Sequence, residues 1–347
     1  MRAAAVYLDH RGGQWRDGVV SVVGGRVRLH DEQPPAGMPR LDGVVTGGFT
    51  DAHVHLQLVD GSRLAASALG QVIDLGGDPD ALRRVHNSSE SARERAAGAE
   101  SGRIPPDSEE LCAVGDLAVA YAGAFLTPPG GYPSDRAWAP AGSVREVATF
   151  QDAASAVAEM HHAGATIIKV ASNSTAGPVF SDEMLAAIVD LASTHGKSVI
   201  VHAEGQGEAQ RATRLRARLL AHAPFSERLN DDELHRMIGS IAWVSTLAIH
   251  EGDARDIAID NTRRFHAMGG NILYGTDMGN GERPVGLDPD EIAALRSAGI
   301  DGADLLRALV PVDPLDVASR LNLLPGCTPE DADPLRARPL TPADLEA

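Results

Sequence analysis

Two histidines spaced by two close the apolar run Gly47-Gly48-Phe49-Thr50-Asp51-Ala52-His53-Val54-His55-Leu56. Side chains alternate faces along a strand, so His53 and His55 point the same way, with Asp51 on their side and Ala52, Val54 and Leu56 on the other. Two neutral imidazoles offered by one rigid element are what a catalytic divalent metal requires. An isolated His-X-His is ordinarily just a pair of polar residues where a strand meets a loop. Four further residues change that weighting. Lys169, His202, His222 and Asp277 each fall at the end of a later apolar run. Four histidines, one aspartate and one lysine could hold two divalent ions with positions left open for water and substrate.

Such groups meet only if the strand ends converge, as they do on the C-terminal face of a parallel barrel. Strands are expected over 44–56, 71–75, 117–122, 166–170, 198–203, 219–222, 241–246 and 271–277, with helical patterns between them. A helix over 150–162 is closed by Gly164. Another is opened by Ser181 as N-cap, with Asp182 and Glu183 in its first turn. Asn230 and Glu233 have the spacing of a capping box, and helices are expected near 290–297 and 301–309. Ahead of the barrel, the β-like pieces 18–23 and 26–29 flank Gly24-Gly25 and read as a hairpin. The polar segment 86–116 reads as helix and exposed loop, and 126–133 as a Gly/Pro-rich loop. The expected architecture is α/β: a (β/α)8 TIM-like barrel over 44–324, a small N-terminal β appendage over 1–43 (a reduced β-sandwich), and a Pro-rich acidic tail over 325–347.

Composition agrees with that class. The chain of 347 residues is 43% hydrophobic but only 4% aromatic, so Ala, Val, Leu and Ile must fill the core. A formal charge of −17 excludes an electrostatic footprint for nucleic acid or anionic lipid and favours a small-molecule substrate. The two cysteines, Cys112 and Cys327, show no pairing or metal-type spacing. No signal-type N-terminus and no apolar run of ~18 residues is present, so a soluble, cytoplasmic protein without a membrane partner is expected.

The ordered set Gly48-Phe49-Thr50-Asp51-Ala52-His53-Val54-His55, Asp74-Leu75-Gly76-Gly77, Gly164-Ala165-Thr166-Ile167-Ile168-Lys169-Val170, Val201-His202-Ala203 and Gly275-Thr276-Asp277 resembles the amidohydrolase superfamily. Within it, the resemblance is to the imidazolonepropionase-like and metal-dependent dipeptidase (prolidase) branch, over roughly 44–324. It implies that His53, His55 and Asp277 hold one metal, that His202 and His222 hold a second, and that Lys169 bridges them as an N-carboxylated side chain formed with carbon dioxide. It further implies hydrolysis of an amide, cyclic amide, N-acyl amino acid or dipeptide C–N bond, with Asp277 moving the proton. Tyr132 stands where that branch has a histidine after Gly-Gly. Zinc leads among metals that suit His and carboxylate donors.

Other residues carry weaker expectations. Tyr132, Arg136, His250 and Arg283 lie in loops after strands and are candidates for contacting substrate, with Arg283 the natural grip for a carboxylate. Asp51 is expected to orient a ligating histidine from behind. His235, mid-helix, is a rival to His222. A mononuclear deaminase using Glu204 as acid is the nearest alternative, although Glu204 is expected in a loop or at a helix start. A catalytically silent binding scaffold is the remaining reading. Homo-oligomerisation is allowed by the sequence and not specified by it.

Overall fold

Alternating apolar residues and a Gly-Gly turn begin the chain as a meander. The structure, a computed structural model, describes residues 1–9, 13–96 and 114–346. β1 (Arg2–Asp9), β2 (Gln14–Val23) and β3 (Arg26–His30) pair antiparallel in turn. Gly24 and Gly25, at φ +59° and +81°, make the turn that only glycine adopts without strain. β4 (Arg40–Gly47) then lies parallel to β1.

The stretch expected as one strand over 44–56 is two. β4 ends at Gly47 in the first sheet, and β5 (Phe49–Val54) starts a separate one. The break falls where Gly48 crosses Gly70 so closely that a Cβ on Gly48 would sit 2.6 Å from the Gly70 Cα. β6 (Leu69–Asp74) and β7 (Ala118–Tyr121) complete a three-stranded parallel sheet with β5, with α1 (Pro79–Ala96) between them. The loop expected after α1 and Cys112 lie largely outside the described residues.

β8 (Phe125–Thr127) and β9 (Val144–Glu146) form an edge beyond the expected strands, because Gly123 at φ +75° turns the chain out of β7. α2 (Phe150–His162), with a Thr149–Asp152 capping box, leads to β10 (Ile167–Asn173). α3 (Asp182–Thr194) is capped by Ser181 as expected, and leads to β11 (Ser198–Glu204). α4 (Glu208–Arg214), β12 (Leu219–Leu220), α5 (Asp231–Met237), β13 (Ala242–Val244), α6 (Gly252–Ala267) and β14 (Ile272–Leu273) continue the alternation. α7 (Pro289–Ser297) and α8 (Gly302–Leu309) follow.

The second parallel sheet runs β14-β13-β12-β11-β10-β8-β9. Two seams join it to the three-stranded sheet. Thr166 N donates to Tyr121 O at 2.8 Å on one side, while Ala52 N to Tyr274 O at 3.0 Å and His55 N to Met278 O at 2.7 Å close the other. The fold is therefore mixed α/β, and the single continuous barrel sheet read from the sequence is divided into sheets of three and seven strands. With few aromatics available, small aliphatic side chains fill the interior: Ala52, Leu75, Ala122, Ile200, Ala221 and Val244 form one cluster beneath the strand ends. Trp243 stacks on Phe265 in the outer layer, with ring centroids 3.8 Å apart.

The end of the chain is not a loose tail. β15 (Leu321–Pro325) pairs antiparallel with β4, and β16 (Arg338–Pro339) pairs with β15, giving the order β16-β15-β4-β1-β2-β3. Leu321, Leu323 and Leu340 share a core cluster with Val20 and Val45. Burial of these leucines overrides the Pro-rich composition. No helix among the described residues is long and apolar enough to cross a membrane.

Candidate metal centre

β5 and the segment after β14 are locked together by a buried carboxylate. Asp51 accepts from His53 N at 3.0 Å, Thr276 N at 3.1 Å and Thr276 Oγ1 at 2.5 Å. Asp51 thus fixes the backbone that presents His53 and Asp277, rather than either imidazole ring. Asp277 itself has φ +56°, a left-handed conformation that aspartate tolerates better than most residues. Asn280 Nδ2 donates to its Oδ2 at 2.8 Å.

The imidazole tautomers follow from their partners. His53 Nδ1 lies 2.8 Å from Ala221 O and His55 Nδ1 lies 3.0 Å from Gly76 O. A carbonyl only accepts, so both Nδ1 atoms carry the proton, and in the neutral ring each Nε2 is left as the ligand atom. Those Nε2 atoms each sit 3.1 Å from Asp277 Oδ1. Oδ1 is buried and accepts no hydrogen bond. Three ligand atoms lie within 4.8 Å of one another, and with both rings neutral they offer a cation three converging lone pairs.

A second pair faces the same space. His202 Nε2 lies 3.1 Å from Glu204 Oε2, a carboxylate oxygen that can only accept, so His202 Nδ1 is bare. His202 Nδ1 meets His222 Nε2 at 3.0 Å. The His222 tautomer that donates Nδ1–H to Thr246 Oγ1, 2.9 Å away, leaves that Nε2 bare as well. Thr246 takes φ +43° to reach this position, an uncommon conformation for a β-branched residue.

Lys169, on β10, is 1% exposed and its Nζ makes no hydrogen bond or ion pair with a described residue. Its amine lies 5.8 Å from the Phe125 ring centroid. Burial pushes it down to about 7, against the pull of Asp277 and Asp74. Burial likewise holds His53 and His222 well below the usual histidine range, and lowers His202. Burial also resists charge on His55 and on Asp277, but their mutual attraction prevails. His55 is held above its usual range, and the imidazoles around Asp277 hold its carboxyl well below the carboxylate range. All six groups line one cavity of about 330 Å3.

The structure brings Tyr132 and His250 to the cavity wall. The Tyr132 ring stacks on His202 at 5.1 Å, and its phenol is pushed up by burial. His250 packs on Phe225 at 4.1 Å, and its Nε2 is buried without a partner. Arg283 is not the expected carboxylate grip. It is absent from the cavity lining, ion-paired with the fully buried Asp288, and its NH1 reaches back to Ala248 O at 3.4 Å. Arg136 is exposed and paired with Asp135. His235 lies on α5, outside the wall. Glu204, expected in a loop or helix start, is the last residue of β11 and lines the cavity.

Sequence reasoning missed Asp74, Trp138, Phe225, Thr246 and Asn280. Asp74 accepts from Leu56 N at 2.6 Å and Gly76 N at 2.9 Å, and so sets the carbonyl that orients His55. Its signal was an aspartate ending a strand before Gly-Gly. Gly76 is equally constrained, since a Cβ there would fall 2.0 Å from Phe125 Cζ. Gly76→Ala should cost about 1–3 kcal/mol of unfolding free energy by overpacking. Urea denaturation checks this, and unchanged stability would mean that the Phe125 ring is free to move.

No family model matches the chain, and no curated protein matches it. Solved structures do. A Xaa-Pro dipeptidase with bound methionine in its active site is 16% identical over 99% of this chain and 98% of its own, with a TM-score of 0.69. The ochratoxinase of A. niger is 16% identical over 97% and 92%, also at 0.69. An amidohydrolase is 15% identical over 99% and 94%, at 0.64. The chain has the amidohydrolase fold. Within an amidohydrolase fold of nearly equal length, His53 lies on β5, Lys169 on β10 and His202 on β11, while His55, His222 and Asp277 lie beyond the ends of β5, β12 and β14.

Proposed function

We propose that this protein is a metal-dependent hydrolase of carbon–nitrogen bonds with a binuclear centre, His53, His55 and Asp277 holding one ion, His202 and His222 the other, and carboxylated Lys169 bridging them. The observation that carries this reading is the convergence of four imidazoles and the buried Asp277 Oδ1 on a cavity that also contains a lysine amine without a hydrogen bond to a described residue. Lysine identity adds support. Lys169 is one of two lysines in the chain, all its other cationic side chains of fixed charge being arginine. An arginine there could neither lose its proton nor react, whereas a neutral lysine amine can.

Two divalent ions, for which zinc suits the donors, would supply a water of lowered pKa and polarise a carbonyl. The chain's own residues prepare for that chemistry. Neutral Lys169 Nζ bonds to the carbon of carbon dioxide and releases a proton, turning an amine into an anionic oxygen donor. Asp277, with Oδ2 steadied by Asn280, accepts the proton of the attacking water and returns it to the departing nitrogen. Asp74 and Asp51 keep the two strand-end histidines in register throughout.

The deaminase reading needs Glu204 as a proton donor. Its hydrogen bond from His202 instead holds the Glu204 carboxyl below its ordinary range, so Glu204 is an ionised acceptor. Elemental analysis of protein produced with zinc and bicarbonate tests the centre. Two metals per chain are expected, falling to one or fewer in Lys169→Ala. One metal in both proteins would favour the mononuclear site, and none would leave only a binding scaffold.

A further inference from the structure

The cavity wall has a charge pattern that no other feature of the fold explains. Beyond the six candidate ligands it is aromatic on two sides. Phe125, Tyr132 and Trp138 form one wall, Trp138 lying 6.1 Å from Phe125 and 6.2 Å from Tyr132 between ring centroids. Phe225, Ile249 and His250 form the other. Among the described residues lining it there is no arginine, and Lys169 is the one lysine. The two guanidinium groups that could have served are committed elsewhere, Arg283 to Asp288 and Arg136 to Asp135 and the outer face of Tyr132, 5.7 Å from its centroid.

The fixed charge on this wall is negative. Glu204 Oε2 is occupied by His202 and by Asn173 Nδ2 at 2.7 Å, but Oε1 has only Thr175 Oγ1 at 3.3 Å. A ligand N–H fits that oxygen, and a carboxylate held on this wall away from the metal positions would meet it with like charge and no arginine or second lysine among the described lining residues to offset the loss of water. The cavity, about 330 Å3, has to hold the metal positions as well as a ligand, which leaves room for a small one.

We infer that the substrate is a small aromatic amide without a free carboxylate, its ring packed between the Phe125–Tyr132–Trp138 and Phe225–Ile249 walls. This rests on the hydrolase reading above, and it separates the protein from a dipeptidase, whose substrate ends in a carboxylate.

A matched pair tests it on the zinc-loaded protein. Acetanilide and 4-acetamidobenzoate differ only in a carboxylate remote from the amide, and both release an arylamine. N-ethylacetamide lacks the ring. Acetanilide should show kcat/KM about 100-fold or more above 4-acetamidobenzoate, and at least about tenfold above N-ethylacetamide. Comparable or faster turnover of the carboxylate, or no advantage for the ring, would overturn the inference. Binding provides an arm independent of turnover: quenching of Trp138 fluorescence, taken as the difference between the parent and Trp138→Phe, titrated with each compound. Tighter binding of acetanilide supports the inference even if no product forms, in which case the hydrolase reading alone fails. Equal binding, or none by either ring compound, overturns it.

Discussion

Asp277→Asn is expected to lower kcat/KM about a thousandfold or more and to lower the metal content of the chain. The two effects have one origin. Asp277 Oδ1 lies 3.1 Å from the Nε2 atoms of His53 and His55 and supplies the one carboxylate among these three ligand atoms. An asparagine keeps the shape but removes an anionic ligand and the group that carries the proton. Amide hydrolysis and elemental analysis of the variant produced with zinc check both halves. An active variant with full metal content would sink the assignment of Asp277.

The second large effect concerns how stability depends on pH in the metal-free chain. Burial lowers Lys169 from 10.5 to about 7 in the folded state. Between those values the unfolded chain binds a proton that the folded chain does not, so unfolding free energy rises with pH from about 7 to about 10.5. Below about 7 both states are protonated, and the burial penalty is carried in full. The gain across the window is on the order of a few kcal/mol. Lys169→Met should abolish most of this slope and be the more stable protein at pH 7. Other groups act alike in parent and variant: burial also lowers Lys197, which adds slope of the same sign, and it raises all four tyrosines. Urea unfolding at several pH values in chelator reads it, and parallel slopes for parent and variant would show that folding does not neutralise this amine.

The candidate ligands were legible because each ends or interrupts an apolar run with a polar group that a cavity must receive. His53, His55, Lys169, His202, His222 and Asp277 are all buried against one cavity, although β10 and β11 run on past Lys169 and His202 to Asn173 and Glu204. Arg283 was misread because its partner, Asp288, lies on the same loop, and a local ion pair cannot be told from a substrate grip by residue type. Trp138 and Phe225 were invisible for a related reason: loop residues have no period, so nothing in their spacing says which way they face. The break between β4 and β5 escaped notice because both strands are apolar and only the close crossing of Gly48 and Gly70 divides them. The C-terminal strands were hidden by prolines that suit the edge of a sheet as well as they suit a loop.

That edge has a consequence for the protein's behaviour in concentrated solution. β15 carries Leu321 and Leu323, and left open it would be a template for any extended chain. β16 covers it with only two residues, the second of which, Pro339, has no N–H to offer a further strand. At the other margin, β3 is five residues long, with half-buried Arg26 and Arg28 alternating with buried Val27 and Leu29 and Arg26 paired with Asp116. The edge formed by the C-terminal strands is thus terminated by a residue that resists polymerisation.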